Sequence, residues 1–265
     1  MTDKASAGLD PQIKKRSKIL SPDRSRKRIG IIGGIGPSST IDFYTRIMNK
    51  YQEKFNDLDY PEAVIYSLSH GPFKGYEDRN EMAGYRGYLL QAIQSLVRAE
   101  AEFIAFAAIS PHRVVDDLQR EIDLPIISAL DSVARHAKNI GVKKALLLGI
   151  QFTMQSDFFQ KRFERENIEL VTPGLKHQEV IQNIIHGELV KSLVKAESRN
   201  KILRMVHEYN VPTVILGCYR LPVLLRGEQD GIHFIDAIDL HTTDVLNFAL
   251  HRAFPLNLDN SNCRE

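Results

Sequence analysis

The chain has 265 residues, two cysteines and a formal net charge of +2, which leaves room for one large core or two modest ones without disulfide or metal staples. Cys218 and Cys263 are too few for a secreted disulfide framework, so a cytoplasmic, reducing compartment is expected. No stretch approaches the roughly 20 apolar residues of a membrane span, and no apolar secretory segment stands near the N-terminus. Residues 1–27 hold eight Lys/Arg against three Asp, so the overall +2 leaves about −3 for the remainder. That stretch carries no aromatic side chain on which a base could stack. It is expected to be a solvated, disordered leader, with no specific nucleic-acid or membrane partner.

From Arg28 onward, short apolar runs alternate with amphipathic segments, the rhythm of an α/β fold with a mainly parallel sheet. The first expected strand, Arg28 to Ile32, leads through glycines into a helix from about Ser38 to Lys54. Strands follow at Ala63 to Ser67, Phe103 to Ala107 and Pro125 to Ser128. Between them a helix from Glu81 to Ala99 repeats Leu89, Leu90, Ile93, Leu96 and Val97 at spacings of three and four. A second series runs through a helix to Asn139, a strand Lys144 to Leu148, a helix Met154 to Glu166 and a strand near Glu169. Helices from about His177 to Tyr209, a strand Thr213 to Leu216 and a last helix from about Asp239 to Ala253 complete it. The expected fold class is α/β, with two similar Rossmann-like lobes, mainly parallel sheets and an active site in the cleft between them. Residues 28–129 plus 240–256 are assigned to the first lobe and 130–239 to the second.

Both series end in an apolar strand followed at once by small or polar residues. These are Ala107-Ala108-Ile109-Ser110-Pro111-His112 and Gly217-Cys218-Tyr219-Arg220. Ligands of open α/β sheets bind beyond the carboxyl ends of strands, so the two exits are the expected site walls. A third wall is the turn Gly33-Gly34-Ile35-Gly36-Pro37-Ser38-Ser39-Thr40. Proline suits a first helical turn, whose free N–H groups can cradle a carboxylate or phosphate. Against a dinucleotide fingerprint, the third glycine would fall at Ser39 and Pro37 removes an amide donor. A purely structural tight turn is the remaining alternative.

Gly33-Gly34-Ile35-Gly36-Pro37, Thr40 and Asp42-Phe43-Tyr44 resemble the opening G-G-M-G-P-x-x-T-x-x-x-Y of the aspartate/glutamate racemases. The resemblance continues through Pro125-Ile126-Ile127-Ser128, Gly141-Val142-Lys143-Lys144, Thr153 and Val214-Ile215-Leu216-Gly217-Cys218, covering most of residues 28–253. It implies racemization without cofactor, in which one thiol removes the α-proton from one face and a second returns a proton to the other. The second thiol motif, G-C-T-E, is Gly217-Cys218-Tyr219-Arg220 here. The first, P-C-N-T-A-H, corresponds to Ala107 through His112, so Ala108 stands at the position of the lost first cysteine.

Alanine transfers no proton, so another group must serve that face. His112, at the family's histidine position, is expected to act directly or through water, with a buried histidine capping the next helix as the alternative. Ser110 is a possible relay. For Cys218 the alternative is an inert buried thiol. By resemblance the substrate-binding set comprises Gly36, Pro37, Thr40, Lys74 as a carboxylate clamp, Thr153, Gln178 at the second clamp, Tyr219 and Arg220. Arg220 could bind a carboxylate bidentately or lower the thiol pKa, or form a structural ion pair. Lys74 could equally be an exposed lysine without a ligand. Gln178 in place of a lysine, and Ile109, Gln151 and Phe152 in the cleft, depart from the dicarboxylate pattern.

A metal site around His233, Asp236, Asp239 and His241 lacks a ligand spacing and is not expected. The reading is a racemase or epimerase of a small carboxylate or amino-acid substrate, without cofactor, and a homodimer like many of its relatives. The alternatives are a one-cysteine decarboxylase similar to arylmalonate decarboxylases and a non-catalytic carboxylate binder.

Overall fold

The computed structural model describes residues 26–250 apart from 227 and 230. Most of the basic stretch, Cys263 and the expected end of the last helix lie outside the described residues. Strands β1 (Ile29–Gly33), β2 (Ala63–Ser67), β3 (Phe103–Phe106) and β4 (Ile126–Ile127) form a parallel sheet in the order β2-β1-β3-β4. In the second sheet β5 (Lys144–Leu148), β6 (Glu169–Val171), β7 (Thr213–Leu216) and β9 (Ile232–Asp236) are parallel in the order β6-β5-β7-β9, and β8 (Glu228–Gln229) adds an antiparallel edge. Every residue of β1, β3 and β7 is buried. Helices cover both faces of such sheets, so Ile, Val and Phe run continuously along the central strands. The two parallel sets share one topology, with β1, β2, β3 and β4 matching β5, β6, β7 and β9.

The helices are α1 (Pro37–Phe55), α2 (His70–Asp78), α3 (Met82–Arg98), α4 (Val115–Glu121) and α5 (Ala129–Asn139), followed by α6 (Gln151–Gln155), α7 (Phe158–Glu164), α8 (Leu175–Gly187), α9 (Ala196–Glu208) and α10 (Ala237–Ala249). Their ends follow local chemistry. Ser128 and Asp236 cap α5 and α10, the Asp236 carboxylate accepting from the N–H groups of Ile238 and Asp239. The turn into α1 needs glycine at residue 34, whose φ is +85° and where a Cβ would lie 2.1 Å from the Leu68 carbonyl oxygen.

Two elements differ from the sequence expectation, and the helices expected between His177 and Tyr209 are α8 and α9. The helix expected from Met154 to Glu166 breaks into α6 and α7, because Ser156 takes an extended backbone and its hydroxyl bonds the Phe152 carbonyl. Between α8 and α9, at residues 188–195, Ser192 adopts a left-handed φ of 60°. The stretch after β2, with Gly71 and Pro72, forms α2, since proline in a first turn loses no helical hydrogen bond.

Helix α10 packs on both α1 and α5. One apolar cluster joins Ile29, Phe43 and Phe103 of the first lobe to Ala145, Leu147 and Ile215 of the second through Val133 and Val245. Each such side chain contributes roughly 1.5–3 kcal/mol on burial. Within it the buried His241 of α10 donates from Nε2 to the Ile127 carbonyl at 2.8 Å and accepts the Tyr219 hydroxyl at Nδ1 at 2.5 Å. Tyr219 stacks on Phe43 with centroids 6.0 Å apart. His112 packs edge-on at 5.5 Å from His241.

Burial holds both rings neutral, lowering His241 to about 4 and His112 well below its ordinary value. In the unfolded chain they protonate near 6.5, so the unfolded state gains protons first and stability falls as the pH drops. Between pH 6.5 and 5, above the ordinary carboxyl range, His241 alone is expected to cost about 2 kcal/mol. Urea unfolding at pH 7 and pH 5 measures this. Equal stability at the two values would rule out the neutral buried pair.

Candidate active site

The two strand exits are built alike. The Ala107 N–H donates to the Ile32 carbonyl at 2.8 Å, and the Gly217 N–H donates to the Leu148 carbonyl at 2.7 Å. Ala108 and Cys218 are the next residues, so they occupy equivalent places in matching lobes. Gly217 permits this approach, because a Cβ there would stand 2.7 Å from the Leu147 side chain. Cys218 is half-buried against the second lobe's core. Burial pushes its thiol up, while the N–H groups of Arg220 and Leu221 at the sulfur oppose that shift. The resting group is a thiol.

Thr153 is fully buried in α6, and its hydroxyl has no hydrogen-bond partner. A Cβ on Gly149 would lie 3.1 Å from the Gly217 carbonyl oxygen and 3.2 Å from the Thr153 side chain, so this hydroxyl belongs where β5 and β7 end. A buried polar group left unpaired is costly, and such atoms mark places where a ligand or water completes the structure.

Across the cleft, the buried Ser110 opens a short 3₁₀ turn (Ser110–Val114). Its hydroxyl opposes the effect of burial on both the Glu77 carboxyl of α2 and the Tyr85 phenol of α3, and the Tyr85 hydroxyl donates to Glu77 Oε1 at 3.4 Å. Burial raises the Glu77 pKa, against the opposing effects of Ser110, Lys74 and Tyr85. The Tyr85 ring lies 6.3 Å from that of Phe152 in α6, and the Arg113 guanidinium sits over Phe152 at 4.9 Å. Phe152 of the second lobe is thereby clasped by the first. Lys74 is exposed and bonded to Asp78 at 2.6 Å, and its charge reaches both Glu77 and His186 of α8.

Several residues expected at the site have their polar atoms engaged elsewhere. His112 donates from Nδ1 to the Ile109 carbonyl at 3.1 Å and accepts the Ala129 N–H at Nε2 at 2.9 Å, so neither nitrogen is free for a substrate proton. Its role is to hold the start of α5. The Tyr219 hydroxyl is used by His241, and Arg220 donates to the Leu189 carbonyl at 2.9 Å, away from any carboxylate pairing. Gln178 bonds the Pro173 carbonyl at 2.8 Å and Gln155 at 3.1 Å, tying α8 to α6. The Thr40 hydroxyl accepts the Gly34 N–H at 2.9 Å and donates to the Gly36 carbonyl, stapling the glycine turn. Gly36 and Pro37 begin α1, which has no side-chain cap.

Glu77, Tyr85 and Arg113 were not legible as site residues. One signal existed for Glu77: it lies four residues after the buried Phe73, on the inward face of α2. The glycine and proline early in that helix hid its periodicity.

The Asp/Glu/Hydantoin racemase family matches residues 32–245. The chain is 36% identical to an aspartate racemase homologue from Pyrococcus horikoshii, covering 84% of this chain and 99% of that one with a TM-score of 0.74. It is 26% identical to the broad specificity amino-acid racemase RacX of Bacillus subtilis over 79% of this chain and 92% of that protein. The aspartate racemase of Picrophilus torridus, at 22% identity, shares the fold with a TM-score of 0.68 over 84% of this chain and 94% of that one.

The unpaired hydroxyl makes Thr153→Val informative. Replacing it by a methyl group of similar shape is expected to raise stability by about 1 kcal/mol, since nothing bonded is lost. Thermal unfolding of the ligand-free protein checks this, and a clear loss of stability would mean that the hydroxyl has a partner.

Proposed function

The chain belongs to the Asp/Glu/Hydantoin racemase family, and from that premise we propose that it is a cofactor-independent amino-acid racemase or epimerase using Cys218 as one acid/base. The observation that carries this reading is Cys218 itself, half-buried just past β7 at the place that matches Ala108 in the other lobe, with the unpaired Thr153 hydroxyl where β5 and β7 end. Removing an α-proton leaves an electron pair that spreads into the substrate carboxylate. Donors aimed at that carboxylate therefore lower the barrier. Thr153, the Ser38 amide that follows Gly36 and Pro37 at the start of α1, and the Arg113 guanidinium supply them. Lys74 can swing from Asp78 to a second anionic group, and Ser110 orders the opposite wall.

The pocket favours a substrate other than a plain dicarboxylate. Gln178 offers no charge, and Phe152 with Tyr85 presents an aromatic wall. The proposal includes a homodimer, supported by Ile65 and Tyr66 on the edge strand β2 and by Ile41 and Tyr44 on α1, all exposed. It also includes a cytoplasmic setting, which keeps the thiol reduced. Among the described residues no helix is long and apolar enough to cross a membrane.

Incubation in D₂O with both hands of a panel of amino acids, Asp and Glu included, tests the reading by NMR and chiral chromatography. Solvent deuterium is expected at the α-carbon from either hand, and Cys218→Ser should lower the rate by about 100-fold or more. A folded protein that exchanges nothing across the panel overturns it. Release of carbon dioxide from substituted malonates would then point to a decarboxylase, and ligand binding without turnover to a non-catalytic binder.

A further inference from the structure

Two-face proton transfer needs a second group opposite Cys218, and the first strand exit offers no thiol. Ala108 has nothing to give, both nitrogens of His112 are bonded to backbone, and the Ser110 hydroxyl is too weak an acid to ionise unaided. One carboxyl reaches that exit. Resting on the racemase reading, we propose that Glu77 is the second acid/base, its carboxyl held over the β3 exit by Ser110 and Tyr85 to serve the substrate face opposite Cys218.

Four observations support this assignment. Glu77 comes from α2, the element that follows β2, yet its carboxyl feels the hydroxyl of Ser110, the residue two positions beyond Ala108. It is half-buried, so the carboxyl keeps an approach from the cleft while two neighbours fix its orientation. The Tyr85 that holds it touches Phe152 of the second lobe, which places the carboxyl at the seam between lobes. Lys74, one turn earlier on α2, acts on both Glu77 and His186 across that seam. Burial also makes this carboxyl a stronger base than a free one.

The step starts from the Glu77 carboxylate and the Cys218 thiol. For one hand of substrate, the α C–H bond breaks, its proton goes to a Glu77 oxygen, and the electron pair delocalises into the substrate carboxylate. The Cys218 S–H bond then breaks as its proton joins the opposite face of the α-carbon, leaving protonated Glu77 and the thiolate. Exchange with water restores the starting pair. The other hand runs the same steps backwards, so one proton is always shared between the two groups.

Glu77→Gln and Cys218→Ala, each alone and combined, test the assignment in D₂O. Glu77→Gln should lose racemization by about 100-fold or more while circular dichroism and thermal unfolding stay near wild type. Cys218→Ala should not racemize, but should exchange solvent deuterium with retention into the single hand whose α-hydrogen faces Glu77. The double variant should do neither. Racemization by Glu77→Gln within threefold of wild type overturns the role of Glu77 and leaves the racemase reading intact, whereas failure of the wild type to exchange any substrate removes that reading itself. If Glu77→Gln does not fold, Glu77→Asp in the Cys218→Ala background decides. It keeps the charge but draws the carboxyl back by one methylene, so slowed one-hand exchange supports the role and an unchanged rate overturns it.

Discussion

The hydrogen bond from His241 to the Ile127 carbonyl is the constraint on which the cleft depends. Ile127 ends β4 of the first sheet, and the other nitrogen of the same ring accepts the hydroxyl of Tyr219, the residue after Cys218. The chain beside the thiol is thus tied through one imidazole to the opposite lobe. A single neutral tautomer satisfies both bonds, and complete burial enforces it. Proton transfer tolerates little error in distance, so a rigid seam between the lobes is a chemical requirement as much as a packing result. His112 belongs to the same support. It bonds the backbone on both sides of its ring and packs edge-on to His241, so the two histidines brace the start of α5 and the seam together.

Burial shifts the two cleft acids in the same direction, with different consequences. It holds the proton on Cys218 more tightly, so that the thiol is favoured, and makes Glu77 a better proton acceptor than an exposed carboxylate. In each case nearby donors moderate the shift: backbone amides at the sulfur, and Ser110 and Tyr85 at the carboxyl. Neither group is left as an isolated buried charge, which would be prohibitively unfavourable. The unpaired Thr153 hydroxyl stands apart because nothing within the chain satisfies it.

The architecture was largely legible in the sequence because it rests on strong local signals. Fully apolar runs such as Ile29 to Ile32 and Thr213 to Leu216 fix central parallel strands, and the spacing through Leu89, Ile93 and Leu96 fixes a helix face. The helix break at Ser156 was not legible, since a hydroxyl bonding its own backbone competes with the helix by a small margin. The candidate site divides along the same line. Cys218 and the vacancy at Ala108 follow from position along a strand, which sequence preserves. Thr40, His112, Gln178, Tyr219 and Arg220 were singled out by alignment to a motif, but where a polar side chain finds its partner depends on groups brought near by folding. Glu77 was missed for the same reason, because its partners lie on α3 and beyond β3.

An unlike pair of acids raises the question of whether such a site could favour one hand. For a substrate with a single stereocentre the answer is fixed by thermodynamics. Mirror images have equal free energies in water, so catalysis must leave kcat/KM the same in the two directions however dissimilar Glu77 and Cys218 are. The dissimilarity can appear only in how that ratio divides between kcat and KM. It is set by which protonation state of the pair each hand requires: the abundant carboxylate with thiol, or the scarce acid with thiolate. A substrate with a second stereocentre escapes the equality, because its two epimers differ in free energy. Replacing a thiol by a carboxyl on one face therefore leaves the direction of the reaction to the substrate, and confines the protein's influence to saturation and protonation.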